Sequence, residues 1–547
     1  MSDYKRIADL LYPNLKHNAQ FYEAMYPNRD LPKGAEVTRF APSPTGYLHI
    51  GHFYQCLVDS RVAKNTNGVF YFRLEDTDKK REIDGAGDVA LNVMKEYGIV
   101  PDEGLFPDGM EKGEYGPYTQ SQRLDIYHAF AYELVAKGRA FPCFCEKSEG
   151  IEDVEERREK MLEEQDTILE HDCCRDLSYE EIEKNILEGK PWALRLKSLN
   201  KASDKIVVND VVLGDREIPA NTKDVVLIKS NGIPPYAFAH AVDDHLMKTT
   251  LVVRGGEWFP SVSAHIEIFE ALGFDRVKYA HTGLISKLDN GNKRKLSKRK
   301  DLEADMRYFL QKGYPAEAVI DYILNLANSN FELWRKNNIL TSNKEFPFDV
   351  SKLNISDPIF DIVKLEDISK NLIAYMSTEQ VFDLLVEWAV KYDERFYNII
   401  QSNPDYIKGM LAIDRGGVKP RKDIAKMDEV YEKFQYMFES EFECLFDEKY
   451  TIQDINNAIE KYIEVYNPND SKEEWFPRLK EACLNAGFCP DMKEFKKNPE
   501  AYIGSVADYS TIIRIAVTGS RNTPDLGMLM KLLGYEEVIK RLKRNIK

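Results

Sequence analysis

The chain has 547 residues, is 43% hydrophobic and 30% charged, and carries a formal net charge of −16. At roughly 100–200 residues per domain this length predicts several domains, and the acidic balance excludes wholesale nonspecific nucleic-acid binding while leaving room for a local basic patch. No apolar run approaches the ~18–20 residues that span a bilayer, and the first twenty residues lack a signal-peptide core, so a cytoplasmic, membrane-free protein is expected.

Residues 1–35 read as a polar and aromatic lead-in with helical periodicity. Val37–Phe40 reads as a strand, and Pro42, Pro44 and Gly46 build a tight exit from it. Apolar positions at Leu48, Phe53, Cys56, Leu57 and Val62 then form one helical stripe. "GVFYFRL", 68–74, is a second strand, followed by the acidic "EDTD". Strand, helix and strand within so short a span make a βαβ unit, the start of a parallel doubly wound sheet.

From about Tyr115 the texture changes. A helix and a strand lead into Cys143 and Cys145, and a charged helix leads to His171, Cys173 and Cys174. Short strands follow in "PWALRLK" and "KIVVNDVVLG", and "TTLVVRGGEWF" is a later buried strand. The predicted organisation is an N-terminal extension, 1–35; two halves of a Rossmann-type parallel sheet, 36–115 and 226–285; an insertion splitting them, 116–225; a basic loop with helices, 286–370; and helix after helix over 371–547. The fold class is therefore α/β, a split Rossmann-type parallel-sheet domain with an α+β insertion, followed by an all-α C-terminal region.

Four features carry chemistry. His49 and His52, three apart, share the first turn of the helix after the first strand, and its N-terminus is a natural anion site. Gly51 between them lets a flat ligand approach the backbone. The plainer reading of the pair alone is two surface or core histidines. "KRKLSKRK", Lys293 to Lys300, holds six cations in eight residues; it reads as a flexible loop that can swing a lysine, Lys298, onto a polyphosphate, as a solvated loop, or as an exposed nucleic-acid patch. Asp243, Asp244 and His245 suit a divalent ion by type. Cys143, Cys145, His171, Cys173 and Cys174 offer up to five ligands where zinc needs four; the alternative is buried reduced thiols. The remaining cysteines, Cys56, Cys444, Cys483 and Cys489, are scattered and read as reduced.

"HIGH" at His49–His52 and "KLSKR" at Lys295–Arg299 resemble the paired signatures of class I aminoacyl-tRNA synthetases. "RFAPSPTGYLHIGH", "FRLEDTD", "GPYTQSQRLDIY", "AVDDHLM", "VVRGGEW" and "KLSKRKD" fall in the order found in glutamyl-tRNA synthetases, and the C-terminal sequence resembles the helical anticodon-binding domain of the bacterial type. The resemblance covers most of 36–547. It implies that His49, His52 and Lys298 are catalytic, and that Pro42, Gly46, Gly51, Lys295 and Ser297 join them around ATP with Mg2+. It implies a glutamate pocket of Arg39 for the side-chain carboxylate, Ala41 and Ser43 along the amino acid, Glu75 for the ammonium, Arg254 for the α-carboxylate, and Tyr236 and His240 completing the wall. It places 116–225 at the tRNA acceptor end and 286–370 at the stem. It places Asp243 and Asp244 near the nucleotide pocket rather than on a metal, and zinc on Cys143, Cys145 and Cys174, with Cys173, His171 or Asp176 as the fourth ligand. The implied reaction joins L-glutamate to tRNA(Glu) through glutamyl-adenylate, by attack of the terminal 2′-hydroxyl. The expected state is a monomer. The alternatives are a nondiscriminating enzyme that also charges tRNA(Gln), or a glutaminyl-tRNA synthetase, whose motifs read closer to "FPPEPNG" and "DDTN". Departures from the family pattern are the N-terminal extension, "CCRDL" in the cysteine region and Gly256, where relatives often carry an acid.

Overall fold

Strand β1 (Val37–Phe40) is buried along its whole length, as a strand covered on both faces must be. It pairs in parallel with β2 (Val69–Phe72), Val37 opposite Val69. Helix Ile50–Asn65 makes the crossover. It stops where the Thr66 hydroxyl donates back to the Val62 carbonyl at 2.9 Å and Asn67 turns left-handed, φ 54°. β3 (Glu103–Leu105) extends the sheet in parallel and β4 (Glu111–Lys112) closes it antiparallel. Residues 3–78, 82–145, 172–297 and 300–547 are described in this computed structural model.

Strands β5 (Ala140–Cys143) and β6 (Ala193–Leu196) follow, then the hairpin β7 (Lys205–Asp210) and β8 (Gly214–Pro219), then β9 (Val226–Ile228). β5, β6 and β9 form a separate antiparallel sheet. β10 (Leu251–Gly255) and β11 (Lys278–Thr282) return to parallel pairing. β7 joins them, with Asp210 opposite Tyr279, so the second sheet runs β10–β11–β7–β8. The hairpin at 205–219 thus lies inside the span expected as the insertion, yet its backbone pairs with the second parallel half. Its partner strand lies far along the chain, beyond the reach of local pattern. The two parallel halves meet at Thr250, whose amide donates to the Val37 carbonyl at 3.0 Å and whose hydroxyl accepts from the Val37 amide at 2.8 Å.

The lead-in contains helices Asp3–Leu11 and Ala19–Met25. It is fastened to distant parts of the same unit. Arg29 grips Glu103 through two hydrogen bonds of 2.9 Å and donates to the Met247 carbonyl at 3.1 Å. The Tyr26 hydroxyl donates to the Gly116 carbonyl at 2.8 Å, and Lys16 pairs with Asp125 at 2.6 Å. The charged helix expected before Cys174 lies largely outside the described residues.

The chain divides into two compact units, Met1–Tyr308 with Ile320–Asn337 and Thr341–Asp361, and Phe309–Val319 with Asn338–Leu340 and Ile362–Lys547. The second is helical. Capping boxes at Ser377/Gln380, Thr451/Asp454, Ser471/Glu474 and Ser505/Asp508 start four of its helices by satisfying amides that a helix start leaves open. Its core includes Leu385, Met410, Ile459, Tyr509 and Leu529, each fully buried.

Gly104 shows how tightly the first sheet is closed. Its φ is +117°, and a Cβ there would lie 2.2 Å from the Phe72 carbonyl oxygen. Gly104→Ala must push β2 and β3 apart and is expected to lower stability by ~2 kcal/mol or more in a denaturation experiment. Gly109→Ala, also left-handed at φ +70° but with open space around it, is expected to lose only ~1 kcal/mol.

Candidate active site

The first parallel pair continues beyond its strand ends. The Arg73 amide donates to the Phe40 carbonyl and the Glu75 amide to the Pro42 carbonyl, each at 3.1 Å. This brings the turn after β1 against the acidic segment after β2, and so Arg39 towards Glu75. Ala41 and Pro42 are half-buried and Ser43 is exposed on the turn; Gly46 turns with φ +151°.

His49 caps the following helix. Its Nδ1 accepts from the Gly51 amide at 3.0 Å, so the neutral ring carries its proton on Nε2. The His52 ring lies 6.1 Å away, tilted by 60°. The Met306 amide donates to the Leu48 carbonyl at 3.1 Å, and His49 forms an antiparallel bridge with Asp305. The chain leaving the basic segment is thereby stitched to the entry of the histidine helix.

The described start of that basic segment is strand rather than loop. β12 (Ser286–Asp289) and β13 (Asn292–Lys295) form a hairpin around Asn290 and Gly291, both with positive φ, the turn such hairpins favour. Arg294 donates to Asp289 at 2.8 Å and to Asp301 at 2.6 and 2.8 Å. Asp301 also accepts the Ser297 amide at 3.0 Å, clasping the segment from Arg294 to Ser297. Lys295 lies 3.5 Å from Glu257. The cationic run therefore hides a strand, and two of its cations, Arg294 and Lys295, are already paired with acids. Lys298 lies outside the described residues.

Beneath the turn lies a buried lattice of charge. Asp244 accepts from Arg39 Nε at 3.2 and 3.3 Å, from Arg73 Nη1 at 2.8 Å and from His240 Nδ1 at 2.9 Å. Asp243 accepts from Arg123 Nε at 2.7 Å, Gln120 Nε2 at 2.9 Å and the Tyr127 hydroxyl at 2.8 Å. Glu75 accepts from Arg73 Nη2 at 2.9 Å. Three guanidinium groups thus face three carboxylates, all buried. Charge removed from water persists only when paired and hydrogen-bonded in this way. Burial opposes ionisation of Asp244, but Arg39 and Arg73 overcome it and hold its pKa well below the ordinary 3.8. Burial pushes Glu75 up to about 7 against the pull of Arg73 and Arg39. Asp243 and Asp244 are arginine partners and not a metal pair. His245 turns away, to Glu23 at 2.7 Å.

Arg39 keeps its two terminal nitrogens without a hydrogen bond among the described residues, its Nε alone being held. Tyr236 stacks on His240 at 4.9 Å and leans on Trp258 at 4.7 Å. Burial lowers the His240 pKa to about 4, leaving a neutral ring whose buried Nε2 has no hydrogen-bond partner among the described residues. Arg254 is buried against His265 and His281.

Cys143, Cys145 and Cys174 bring three sulfurs within 4.8 Å of one another. Cys145 and Cys174 are 3.5 Å apart, and the Phe144 amide donates to the Cys174 sulfur at 3.4 Å. Asp176 does not join them: its carboxylate pairs with Lys197 at 2.6 Å. His171 and the Cys173 side chain lie outside the described part.

The pattern of tRNA synthetases class I (E and Q), catalytic domain, matches residues 36–366, and an anticodon binding domain matches 492–546. A glutamate–tRNA ligase of Clostridium perfringens strain SM101 is 43% identical over 99% of both chains. One from Acetivibrio thermocellus is 39% identical over 99% of this chain and all of its own. The crystal structure of a glutamate tRNA ligase from Elizabethkingia meningosepticum, in complex with its amino acid, superposes with a TM-score of 0.70 at 26% identity, covering 93% of this chain and 99% of that one. The chain belongs to the glutamyl-tRNA synthetases.

Within this class I synthetase the structure gathers Arg39, Glu75, Tyr236 and His240 around one buried network and sets His49, His52 and Lys295 in the adjoining segments. Sequence reasoning overlooked Arg73, Gln120, Arg123, Tyr127, His265 and His281. One signal was available: an arginine inside the apolar run "VFYFRL" is buried by its neighbours, and a buried arginine demands acids.

Asp244→Asn removes the negative charge between Arg39 and Arg73. Stability is expected to fall by ~3–5 kcal/mol at neutral pH. Because the folded-state pKa of Asp244 is depressed, its contribution is present above the ordinary 3.8 and lost as pH falls below it. Denaturation of both proteins across pH should therefore show the gap narrowing only in that acid range.

Proposed function

We propose that the protein joins L-glutamate to the 3′ end of tRNA(Glu), using ATP, by way of glutamyl-adenylate. The observation that carries the choice of amino acid is Arg39, a guanidinium fixed through Nε by Asp244 while its terminal nitrogens remain uncommitted among the described residues. A planar fork held in this way fits a carboxylate through two parallel hydrogen bonds. A substrate with two carboxylates and an ammonium then uses Arg39 for its side chain, Arg254 for its α-carboxylate and Glu75 for its amine, with Ala41, Ser43, Tyr236 and His240 along its length.

The first step needs no general base, because the attacking carboxylate is already an anion. One of its oxygens bonds to the α-phosphorus of ATP, and the bond to the bridging oxygen breaks to release pyrophosphate. His49, with its proton on Nε2, and His52 donate to phosphate oxygens at the helix start, near Pro42, Gly46 and Gly51. Lys298, with Lys295 and Ser297, stabilises charge that builds on the leaving group. Mg2+ brought with the nucleotide would add further charge stabilisation of the same kind. In the second step the tRNA 2′-hydroxyl oxygen bonds to the acyl carbon, the bond from that carbon to the phosphate oxygen breaks, and AMP leaves with the hydroxyl proton passing to its phosphate. The protein acts as a monomer in the cytoplasm on this reading.

Charging assays with tRNA(Glu) and tRNA(Gln) test it. Glutamate should be attached to tRNA(Glu) with release of AMP and pyrophosphate; attachment of glutamine instead would overturn the assignment, and glutamate on both tRNAs would define a nondiscriminating enzyme. Lys298→Ala is expected to slow adenylate formation by about 100-fold or more with little change in tRNA affinity.

Zinc belongs to the same proposal. Four sulfurs around tetrahedral zinc, at about 2.3 Å each, stand roughly 3.8 Å apart, and the three described thiols already approach that spacing. Cys173 or His171 would supply the fourth ligand. Elemental analysis should find about one zinc per chain, absent from Cys174→Ser; purified protein free of zinc, with these thiols open to titration, would remove the metal.

A further inference from the structure

Arg254 lies on β10 with two edges of its guanidinium against imidazole rings. Nε donates to Nε2 of His281 at 3.0 Å, and Nη1 lies 3.0 Å from Nδ1 of His265. A guanidinium has only donors, so both ring nitrogens must hold lone pairs. The other nitrogen of His281, Nδ1, stands 2.6 Å from Asp210 Oδ2, an oxygen that also accepts the His281 amide at 3.2 Å. His281 is thereby fixed as the Nδ1–H tautomer, and His265 carries its proton on Nε2. Asp210 comes from β7, His281 from β11 and His265 from helix Val262–Leu272. Three elements converge on one side chain, and all four residues are buried to 96% or more. The remaining nitrogen of Arg254, Nη2, is buried with no hydrogen-bond partner among the described residues.

Buried arginines are ordinarily held by carboxylates, as Arg39, Arg73 and Arg123 are here. A carboxylate at Arg254 would offset part of its charge, as Asp244 does for Arg39. Imidazole lone pairs fix the plane of the guanidinium and leave its charge whole. We infer that Asp210, His281 and His265 are positioning residues that orient Arg254 and present its Nη2 edge, fully charged, to the α-carboxylate of glutamate. This rests on the assignment of Arg254 made above.

The rings must stay neutral for the device to work. Burial lowers the pKa of both; His240 and Arg254 push His265 further down, and Arg254 lowers His281 against the pull of Asp210. The groups facing His265 are Tyr236 and His240 from helix Tyr236–Leu246, Arg254 from β10, and at longer range Asp244 and His281. Those facing His281 are Asp210, Arg254, Tyr279 beside it on β11, and Glu257. Protonating either ring replaces the acceptor that faces Arg254 with a donor, so glutamate binding weakens in acid.

The test is steady-state aminoacylation by the full chain with glutamate, ATP and tRNA(Glu). His281→Phe removes the lone pair and should raise KM for glutamate about 10-fold or more while KM for ATP moves less than about 2-fold. His281→Gln offers an acceptor to Arg254 and a donor to Asp210 from one side chain, and should stay within about 3-fold of the parent. An unchanged KM for glutamate in His281→Phe, or equal shifts in both KM values, overturns the inference. A measurement on the unaltered protein does not depend on these variants folding: nitrogen-15 spectra of histidine-labelled protein should show His281 as the Nδ1–H tautomer, and an Nε2–H signal would equally overturn it. Failure of the parent protein to charge glutamate at all would sink the reading of the site, a result separate from the tautomer.

Discussion

The constraint on which the rest depends is the confinement of three guanidinium groups and three carboxylates beneath the turn after β1. None of Arg39, Arg73, Arg123, Glu75, Asp243 and Asp244 is exposed by more than a few per cent. Each would be strongly unfavourable alone in that environment, and each is tolerated because its neighbours answer it. The lattice draws on β1, on β2 and its extension, on the segment before helix Leu124–Ala136, and on helix Tyr236–Leu246. Both parallel halves must be in register for it to close. Pairing of charge thus enforces the join between segments that the insertion separates in sequence.

Two arginines in this region are prepared in opposite ways. Arg39 is backed by an anion that neutralises part of its charge while freezing its orientation. Arg254 is backed by neutral rings and keeps its charge. Under the proposed reading the two ends of one small dicarboxylate meet guanidinium groups of different strength. Orientation relative to the reacting phosphate then follows from electrostatics as well as shape, which is what preorganised sites achieve at little reorganisation.

Much of this was legible beforehand, and the gaps have physical causes. β1, the helix after it and β2 were readable because a continuously apolar strand, a proline- and glycine-bounded turn and a 3.6-residue stripe are local signals. The first strand of the hairpin at 205–219 is legible in "KIVVNDVVLG"; its return strand, largely exposed and charged, is not, and its place beside β11 is a long-range pairing that local pattern does not encode. β13 was hidden because Lys293, Arg294 and Lys295 obscure the alternation that marks a strand. Arg39, Glu75 and Arg254 are singled out as candidates by the motifs around them. His265 and His281 were not, since a single histidine in an apolar helix or strand looks like an ordinary core residue until the lone-pair demand of Arg254 is seen.

The fastening of the N-terminal lead-in bears on how the chain comes to be folded during synthesis. Tyr26 waits for Gly116, 90 residues later, and Arg29 for Met247, 218 residues later. At roughly 5–20 residues per second on a ribosome, the second delay is on the order of 10–40 s. Until Tyr115 to Ala136 emerge, Tyr22 and Tyr26, buried in the finished protein, have no such surface to cover them, the helices of the lead-in are too brief to persist alone, and the grip of Arg29 on the Met247 carbonyl closes later still. The first catalytic half therefore completes its outer wall only after the second half has emerged, which makes this lead-in a late-closing piece of the fold despite its early place in the chain.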